Sequence, residues 1–176
     1  MRHDPLSRLG VCFLAASLTF AQAQTAAPAA APAPVRLADT ATVSAPSLSL
    51  KTANRIAMTT VENCAAAGYN VAVTVVDRAG VPLALARSEG AGPHTVAASQ
   101  QKAYTSASAR NLISAMSQGL ASNPTLADIP GFLVLAGGVP VRVAGTVVGA
   151  VGVGGAPSGL IDEKCAADAL KTVLGQ

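Results

Sequence analysis

Aromatic and charged side chains are scarce in this sequence. Aromatic residues make up 3% of the 176 positions, tryptophan is absent, and charged residues make up 12%, about half of the ordinary share. The hydrophobic core must therefore be built from alanine, valine, leucine and isoleucine. The low charge also predicts that part of the surface is covered by contacts between subunits.

Basic runs and basic helix faces are missing as well. The formal net charge is +3, and it falls to +2 if Arg2, Asp4 and Arg8 are removed with the N-terminal segment described below. The few aromatic residues do not alternate with arginine or lysine, as they would on a surface that binds single-stranded nucleic acid. We therefore expect no nucleic-acid partner.

Cysteine is limited to three residues, of which Cys12 lies in the apolar N-terminal run. Cys64 and Cys165 have no histidine nearby, which makes a zinc site improbable. No Cys-x-x-Cys-His motif occurs, which excludes covalent attachment of haem. Cys64 and Cys165 either form a disulfide that closes a loop of about 100 residues or are two buried thiols. The sequence leaves both alternatives open.

The N-terminus has the pattern of an export signal. Arg2, His3 and Arg8 precede an apolar run from Leu9 to Phe20. This run is followed by Ala21-Gln22-Ala23. A basic start, an apolar stretch and a small-x-small site predict a signal peptide over residues 1–23, cleaved near Ala23. The apolar run is shorter than the roughly 20 residues of a transmembrane helix. We therefore expect a periplasmic or secreted protein with no membrane span in the mature chain.

Residues 24–46 are rich in alanine, proline and threonine and contain almost no large apolar side chain. Such a segment cannot offset the entropy lost on ordering, and it is predicted to be a disordered tether. Residues 47–176 have the length of one domain with one hydrophobic core.

Hydrophobic spacing predicts the elements of this domain. Ser49 is suited to cap a helix that ends near Gly68, and Thr95 to cap a second helix that reaches about Arg110. A short helix from Leu112 to Leu120 and a final helix from Asp162 complete the helices. The predicted strands are 71–76, 81–87, 132–136, 139–143 and 146–153.

The short turns between these strands require antiparallel pairing. The sequence thus predicts an α+β fold with a five-stranded antiparallel sheet packed with helices. If the first and last helices lie side by side on the sheet, Cys64 and Cys165 come within reach of each other. The glycines from Gly149 to Gly155 do not open onto a helix, which excludes a dinucleotide loop and favours close backbone packing or a subunit contact.

Three motifs resemble the GlcG/HbpS family of small haem-binding or haem-degrading-type domains. They are Val75-Val76-Asp77-Arg78-Ala79-Gly80, then Glu89-Gly90-Ala91-Gly92-Pro93-His94-Thr95 leading to Lys102-Ala103-Tyr104-Thr105, and Gly137-Gly138-Val139-Pro140 with Gly149 to Pro157. The resemblance covers nearly the whole mature domain. It implies a profilin-like α+β fold, homo-oligomers, and binding of haem or a related small ligand. Glu89 stands where such proteins often have aspartate.

The candidate ligand-binding residues lie in or near the Gly-Pro loop before the second long helix. His94 is the natural candidate for an axial ligand of haem iron, with Tyr104 as an alternative. Arg87 or Lys102 could pair with haem propionates or a small organic acid. The remaining candidates are Glu89 and Thr95. The structural alternatives are that His94 orders the loop by a hydrogen bond, and that Glu89 and Lys102 form a solvated ion pair.

The interpretation we favour is an exported, non-enzymatic protein that binds haem non-covalently. Its role would be to bind, sense or store haem. One alternative is an enzyme or sensor acting on a small hydroxy or keto acid, with Glu89 or His94 as the base and Arg87 or Lys102 holding the carboxylate. A second is an oligomeric interaction module. Family membership alone does not decide among these functions.

Overall fold

The computed structural model describes residues 33–175. The predicted signal peptide and residues 24–32 of the predicted tether lie outside this range. The chain divides into a unit that ends at Ala41 and a compact unit that begins at Thr42. Residues 33–46 are exposed and contain no helix or strand. None of the helices found between residues 33 and 175 is both long and apolar enough to cross a membrane.

The compact unit contains an antiparallel sheet and four α-helices. The helices are α1 (Leu50–Ala66), α2 (His94–Ala109), α3 (Ile113–Gln118) and α4 (Gly159–Leu174), and a 3-10 turn covers Pro124–Asp128. The strands are β1 (Ala72–Asp77), β2 (Pro82–Arg87), β3 (Gly138–Val143) and β4 (Thr146–Gly154). Their order in the sheet is β2-β1-β4-β3, and all neighbours are antiparallel.

The prediction of a fifth strand is wrong. Within the described residues the sheet has four strands, and the segment 132–136 is irregular. Its backbone is held by side chains instead of a strand ladder, since the Leu133 N–H donates to Thr105 Oγ1 at 2.9 Å. The N–H of Gly137, just after it, donates to Glu163 Oε1 at 3.2 Å. The apolar residues 132–136, which lie between two glycines, therefore form a loop that is hydrogen-bonded to α2 through Thr105.

Helices lie on both faces of the sheet. Val73 and Val75 of β1 point into the main core together with α1 and α4. The intervening Thr74 faces α2, where its hydroxyl hydrogen-bonds to that of Ser99 at 2.8 Å. This alternation is the ordinary period of a strand buried on both faces.

Glycines in β4 allow α2 to approach the sheet very closely. A Cβ atom at Gly152 would lie 2.0 Å from the Ser99 carbonyl oxygen and 2.3 Å from the Ala103 nitrogen. A Cβ atom at Gly154 would lie 3.3 Å from the Thr95 carbonyl oxygen. The close backbone packing predicted from the glycine cluster is confirmed.

On the other face, α1 and α4 lie side by side and are joined by a disulfide. Cys64 and Cys165 form this bond with their Cα atoms 5.4 Å apart, and the Asn63 side-chain amide donates to the Cys165 carbonyl at 3.3 Å. Of the two alternatives that the sequence left open, the structure contains the disulfide.

The helix starts differ in part from the predictions. Ser49 caps α1 as expected, since its hydroxyl accepts the Thr52 N–H. Thr95 is not a cap, because α2 begins at His94 and the Thr95 hydroxyl donates to the Gly92 carbonyl at 2.6 Å. The last helix begins three residues before Asp162 and is capped by Ser158. Asp162 is therefore available for another interaction.

Candidate functional site

A cavity of about 250 Å³ lies where the start of α2, the end of β4 and the start of α4 meet. Its wall combines glycines and small apolar side chains with one histidine and one buried ion pair. It is lined by His94, Thr95, Ala98, Lys102, Leu135, Gly154, Gly155, Ala156, Pro157, Gly159 and Asp162. Three of the residues predicted from the sequence, His94, Thr95 and Lys102, are thus brought together.

Lys102 and Asp162 form a buried ion pair in the cavity wall. Lys102 Nζ lies 2.9 Å from Asp162 Oδ2 and 2.9 Å from the Val153 carbonyl oxygen, and the two side chains are 4% and 2% exposed. Asp162 Oδ1 accepts the Ala156 N–H at 3.1 Å. Because an ammonium group carries three N–H donors, Lys102 has one more to offer to a ligand in the cavity.

Burial raises the pKa of Asp162 above its ordinary value of 3.8. The attraction and hydrogen bond of Lys102 and the hydrogen bond from Ala156 oppose this shift, while the nearby charge of Glu163 adds to it. The cost of removing the carboxylate from water therefore outweighs the pairing. A carboxyl group with a raised pKa beside a cation in a cavity is a typical feature of functional sites.

The absence of a side chain at Gly137 leaves room for the Lys102 side chain. A Cβ atom there would lie 2.6 Å from Lys102 Nζ and 2.7 Å from the Val153 carbonyl oxygen, and the φ angle of +127° is one that other residues rarely adopt. The Gly137-Gly138 motif therefore lets the ammonium group reach both of its partners. This is a requirement of space as well as of backbone conformation.

His94 lies at the mouth of the cavity. It is the first residue of α2, its side chain is exposed, and its ring rests over Gly92, where a Cβ atom would lie 2.8 Å from Cε1. No hydrogen bond to the ring occurs in the described part of the chain, so the alternative in which the ring orders the loop by hydrogen bonding has no support. Thr95 next to it is buried and holds the loop through Gly92.

Arg87 and Glu89 do not line this cavity. The Arg87 guanidinium donates to the Ala91 carbonyl and so braces the loop before α2 from outside. Glu89 is exposed. The predicted ion pair between Glu89 and Lys102 is wrong, because Lys102 is buried and its carboxylate partner is Asp162.

Tyr104 belongs to a different concave surface. This second cavity has a volume of about 330 Å³ and is lined by Gly80, Pro82, Gln100, Gln101, Tyr104, Pro130 and Gly131. The Tyr104 ring meets Phe132 edge to face with the ring centres 6.2 Å apart. Residues two positions apart do not share a helix face, which is why Tyr104 and Lys102 line separate cavities.

Asp162 is the site residue that sequence reasoning missed. Its position near the start of a helix indicated a cap, and 60 positions separate it from Lys102. One signal was present: Lys102 lies among Ser99, Ala103 and Ser106 on the buried face of α2. A lysine on a buried face requires a carboxylate partner, although the sequence does not say which one.

Comparison with known protein families identifies the fold. The family model described as "Haem degrading protein HbpS-like" matches residues 48–171. The chain belongs to this family. The resemblance recognised from the three sequence motifs is therefore confirmed, and the matched residues contain the whole sheet, α1 to α3, and α4 up to its last three residues.

Solved structures agree with this assignment. The crystal structure of HbpS is 41% identical, with a TM-score of 0.74 over 81% of this chain and 100% of that one. A double glutamate-to-aspartate mutant of Streptomyces reticuli HbpS is 42% identical, with a TM-score of 0.73 over 85% of this chain and 100% of that one. No curated protein sequence matches the chain.

A more distant structure shares the fold alone. The Klebsiella pneumoniae protein ORFY is 22% identical, with a TM-score of 0.70 over 77% of this chain and 98% of that one. The fold of this HbpS-like chain is thus α+β, with an antiparallel sheet between helices.

Proposed function

We propose that this HbpS-like protein is exported and binds haem non-covalently at the cavity beside the start of α2. The observation that carries the proposal is the arrangement of His94 at the cavity mouth with the buried Lys102 ammonium behind it. An imidazole is a common axial ligand of haem iron, and a cation pairs with propionate groups. The haem-degrading description of the matching family supports the same ligand.

The residues of the cavity fit an edge of haem but do not enclose it. Its volume of about 250 Å³ is below the roughly 300–1,000 Å³ of ordinary ligand pockets. His94 would hold the iron, Lys102 a propionate, and Leu135 and Pro157 the apolar edge. Bound haem supplies a redox-active iron. The protein's own residues bind it, orient it and cover one side of it.

The remaining side of the ligand would be covered by a second subunit. Leu135 in the cavity wall is 55% exposed, and Leu160, next to the lining residue Gly159, is 63% exposed. Exposed apolar residues at a ligand site support a shared site. Homo-oligomer formation and the profilin-like description of the fold, both implied by the family resemblance, are therefore parts of this proposal.

Export supports a role in binding, sensing or storing haem outside the cytoplasm. The basis is the N-terminal pattern of residues 1–23, which predicts a periplasmic or secreted protein. The disulfide between Cys64 and Cys165 is compatible with an oxidising compartment.

Titration with haemin tests the proposal. We expect the purified protein to shift the Soret band, and His94→Ala to lose the shift or change its position. Tyr104→Phe is the matched control, because it alters a potential ligand on the same helix in the other cavity. Unchanged binding by His94→Ala together with loss in Tyr104→Phe would move the site to the second cavity. No Soret shift would contradict haem binding altogether.

A small hydroxy or keto acid is a second candidate ligand. The observation in its favour is the buried Lys102–Asp162 pair, in which the pKa of Asp162 is raised, in a cavity of suitable size. Lys102 would hold the acid's carboxylate, and Asp162 would exchange a proton with it. Thermal stabilisation by lactate or pyruvate, without a Soret shift with haemin, would favour an enzyme or sensor. Absence of both effects would favour an oligomeric interaction module.

A further inference from the structure

A third concave surface lies at the opposite end of the central strands. The cavity with His94 at its mouth lies at the end of β4, where Gly154 pairs with Ala72 at the start of β1. The third surface follows the end of β1 and contains the start of β4. Given the rise of a strand, six paired residues separate the two surfaces by roughly 20 Å.

Three arginines line this surface, which we call the arginine cleft. Its volume is about 260 Å³, and its lining consists of Arg78, Arg110, Arg142, Gly145, Thr146 and Val147. The arginines come from three separate parts of the fold: the β1–β2 turn, the end of α2 and strand β3. Only the tertiary structure brings them together.

Hydrogen bonds hold the arginine cleft in shape. Arg142 Nη2 donates to the Arg110 carbonyl at 2.8 Å, and its Nη1 donates to the Gly145 carbonyl at 3.4 Å. Asp77 Oδ1 accepts the N–H groups of Ala79 and Val81 and so fixes the turn that carries Arg78. A guanidinium has five N–H donors, and Arg142 therefore has three left for a ligand.

Within residues 33–175, no carboxylate lies at ion-pair distance from the three guanidinium groups. The ion pairs in residues 33–175 are Lys102–Asp162, Lys164–Asp168 and Lys171–Asp168, and none of them includes an arginine of the cleft. Asp77, the acidic residue next to Arg78, is engaged with backbone N–H groups through Oδ1. Three like charges at one concave surface repel each other unless an anion binds between them.

The backbone conformation at Arg110 allows its side chain to be tested without cost to the fold. Arg110 follows the last residue of α2 with a left-handed backbone conformation, φ 55° and ψ 33°. Glycine or asparagine is the usual residue at such a helix end, because a Cβ atom is unfavourable there. Replacing Arg110 by glycine therefore removes the guanidinium without straining the end of α2.

We propose that the arginine cleft binds an oxyanion of the phosphate class that carries at least two negative charges, such as diphosphate. The planar guanidinium group matches two oxygens of a phosphate at once. Three guanidinium groups match the charge of a diphosphate more closely than that of one carboxylate. The proposal is independent of haem binding, because the two sites share no residue.

Calorimetric titration with inorganic pyrophosphate tests the arginine cleft. We expect saturable binding that weakens as the salt concentration rises. Arg78→Gln and Arg110→Gly are each expected to weaken it by about tenfold or more, because each removes charged hydrogen-bond donors. Arg55→Gln is the matched control, because it removes one positive charge from an exposed position on α1; its affinity should be within about twofold of the unmodified protein.

Two further measurements test whether the weaker pyrophosphate binding comes from a loss of folding or from a change at the haem site. Arg110→Gly should keep or raise the midpoint of thermal unfolding, since glycine suits the left-handed conformation, so its loss of binding would not be a loss of folding. The haemin titration of both cleft variants should match that of the unmodified protein. The proposal is overturned by absence of pyrophosphate binding, by an equal loss in Arg55→Gln, by undiminished binding in both cleft variants, or by a parallel loss of haem binding in them.

Discussion

At the scale of single residues, the buried pair of Lys102 and Asp162 dominates the electrostatics of the candidate haem site. Both side chains are almost fully removed from water, and each satisfies a backbone group as well as its partner. Such a pair contributes little net stability, but breaking it leaves one buried charge without a partner. The consequence can be measured with three variants.

Lys102→Met is expected to lower the free energy of unfolding at neutral pH by about 3–5 kcal/mol, because it leaves the Asp162 carboxylate buried and unpaired. Lys102→Met combined with Asp162→Asn should recover most of this loss, since the asparagine oxygen can still accept the Ala156 N–H. Urea denaturation measures both. The control is Lys164→Gln, which breaks an exposed pair and should cost at most about 1 kcal/mol. A double variant as unstable as Lys102→Met would contradict this account.

The pH dependence of the Lys102→Met effect follows from the raised pKa of Asp162. A carboxyl group whose pKa is raised on folding contributes stability that is complete below its unfolded pKa and is lost as the pH rises through its folded pKa. Lys102 lowers this pKa, so its removal should make the loss larger and extend it to higher pH. Denaturation over a pH series should therefore find Lys102→Met closest to the unmodified protein in acid. A difference that does not change with pH would contradict the shift.

At the scale of elements, the contact between α2 and β4 positions the candidate haem site. Gly152 allows the helix backbone to approach the strand, which places Lys102 within reach of Val153. The glycines of β4 predicted close backbone packing, but the sequence did not indicate that α2 is the partner. The loop 132–136 was not predictable, because Thr105, which accepts the Leu133 N–H, and Glu163, which accepts the N–H of the adjoining Gly137, are distant from it in sequence.

Gly152→Ala should lower the free energy of unfolding by about 1–3 kcal/mol or more, because its Cβ atom would clash with backbone atoms of Ser99 and Ala103. Thermal unfolding measures the effect, and haemin binding should weaken in parallel if α2 moves away from the sheet. Gly119→Ala is the control, since its Cβ atom would meet only the Met116 carbonyl at 3.4 Å. Equal stability of the two variants would contradict the tight contact.

The disulfide between α1 and α4 is the second determinant at this scale. It links residues 101 positions apart, and replacing both cysteines with serine is expected to lower the free energy of unfolding by about 2–5 kcal/mol. The unmodified protein under reducing conditions should behave like the double variant, which serves as an internal control. Two titratable thiols in the denatured, unreduced protein that lacks residues 1–23, and hence Cys12, would contradict the bond.

At the scale of the whole molecule, the N-terminal segment predicts processing. If residues 1–23 are an export signal, the protein recovered from the periplasm or medium should begin at Gln24, and intact mass measurement will detect the missing segment. Replacing several apolar residues between Leu9 and Phe20 by charged ones should keep the full-length chain in the cytoplasm. Full-length protein in the exported fraction would contradict cleavage.

The sequence by itself determined the helix α1 with its Ser49 cap, the antiparallel α+β class and the family, because these depend on local spacing and on motifs that are continuous in the chain. It also placed His94 in the loop directly before the second long helix. Only the tertiary structure decided the four-stranded sheet, the pairing of Lys102 with Asp162, and the separation of Tyr104 from the His94 cavity. The physical reason is that a buried charge or an unpaired backbone group takes whichever partner the packing of distant segments brings near, and no local pattern records that choice.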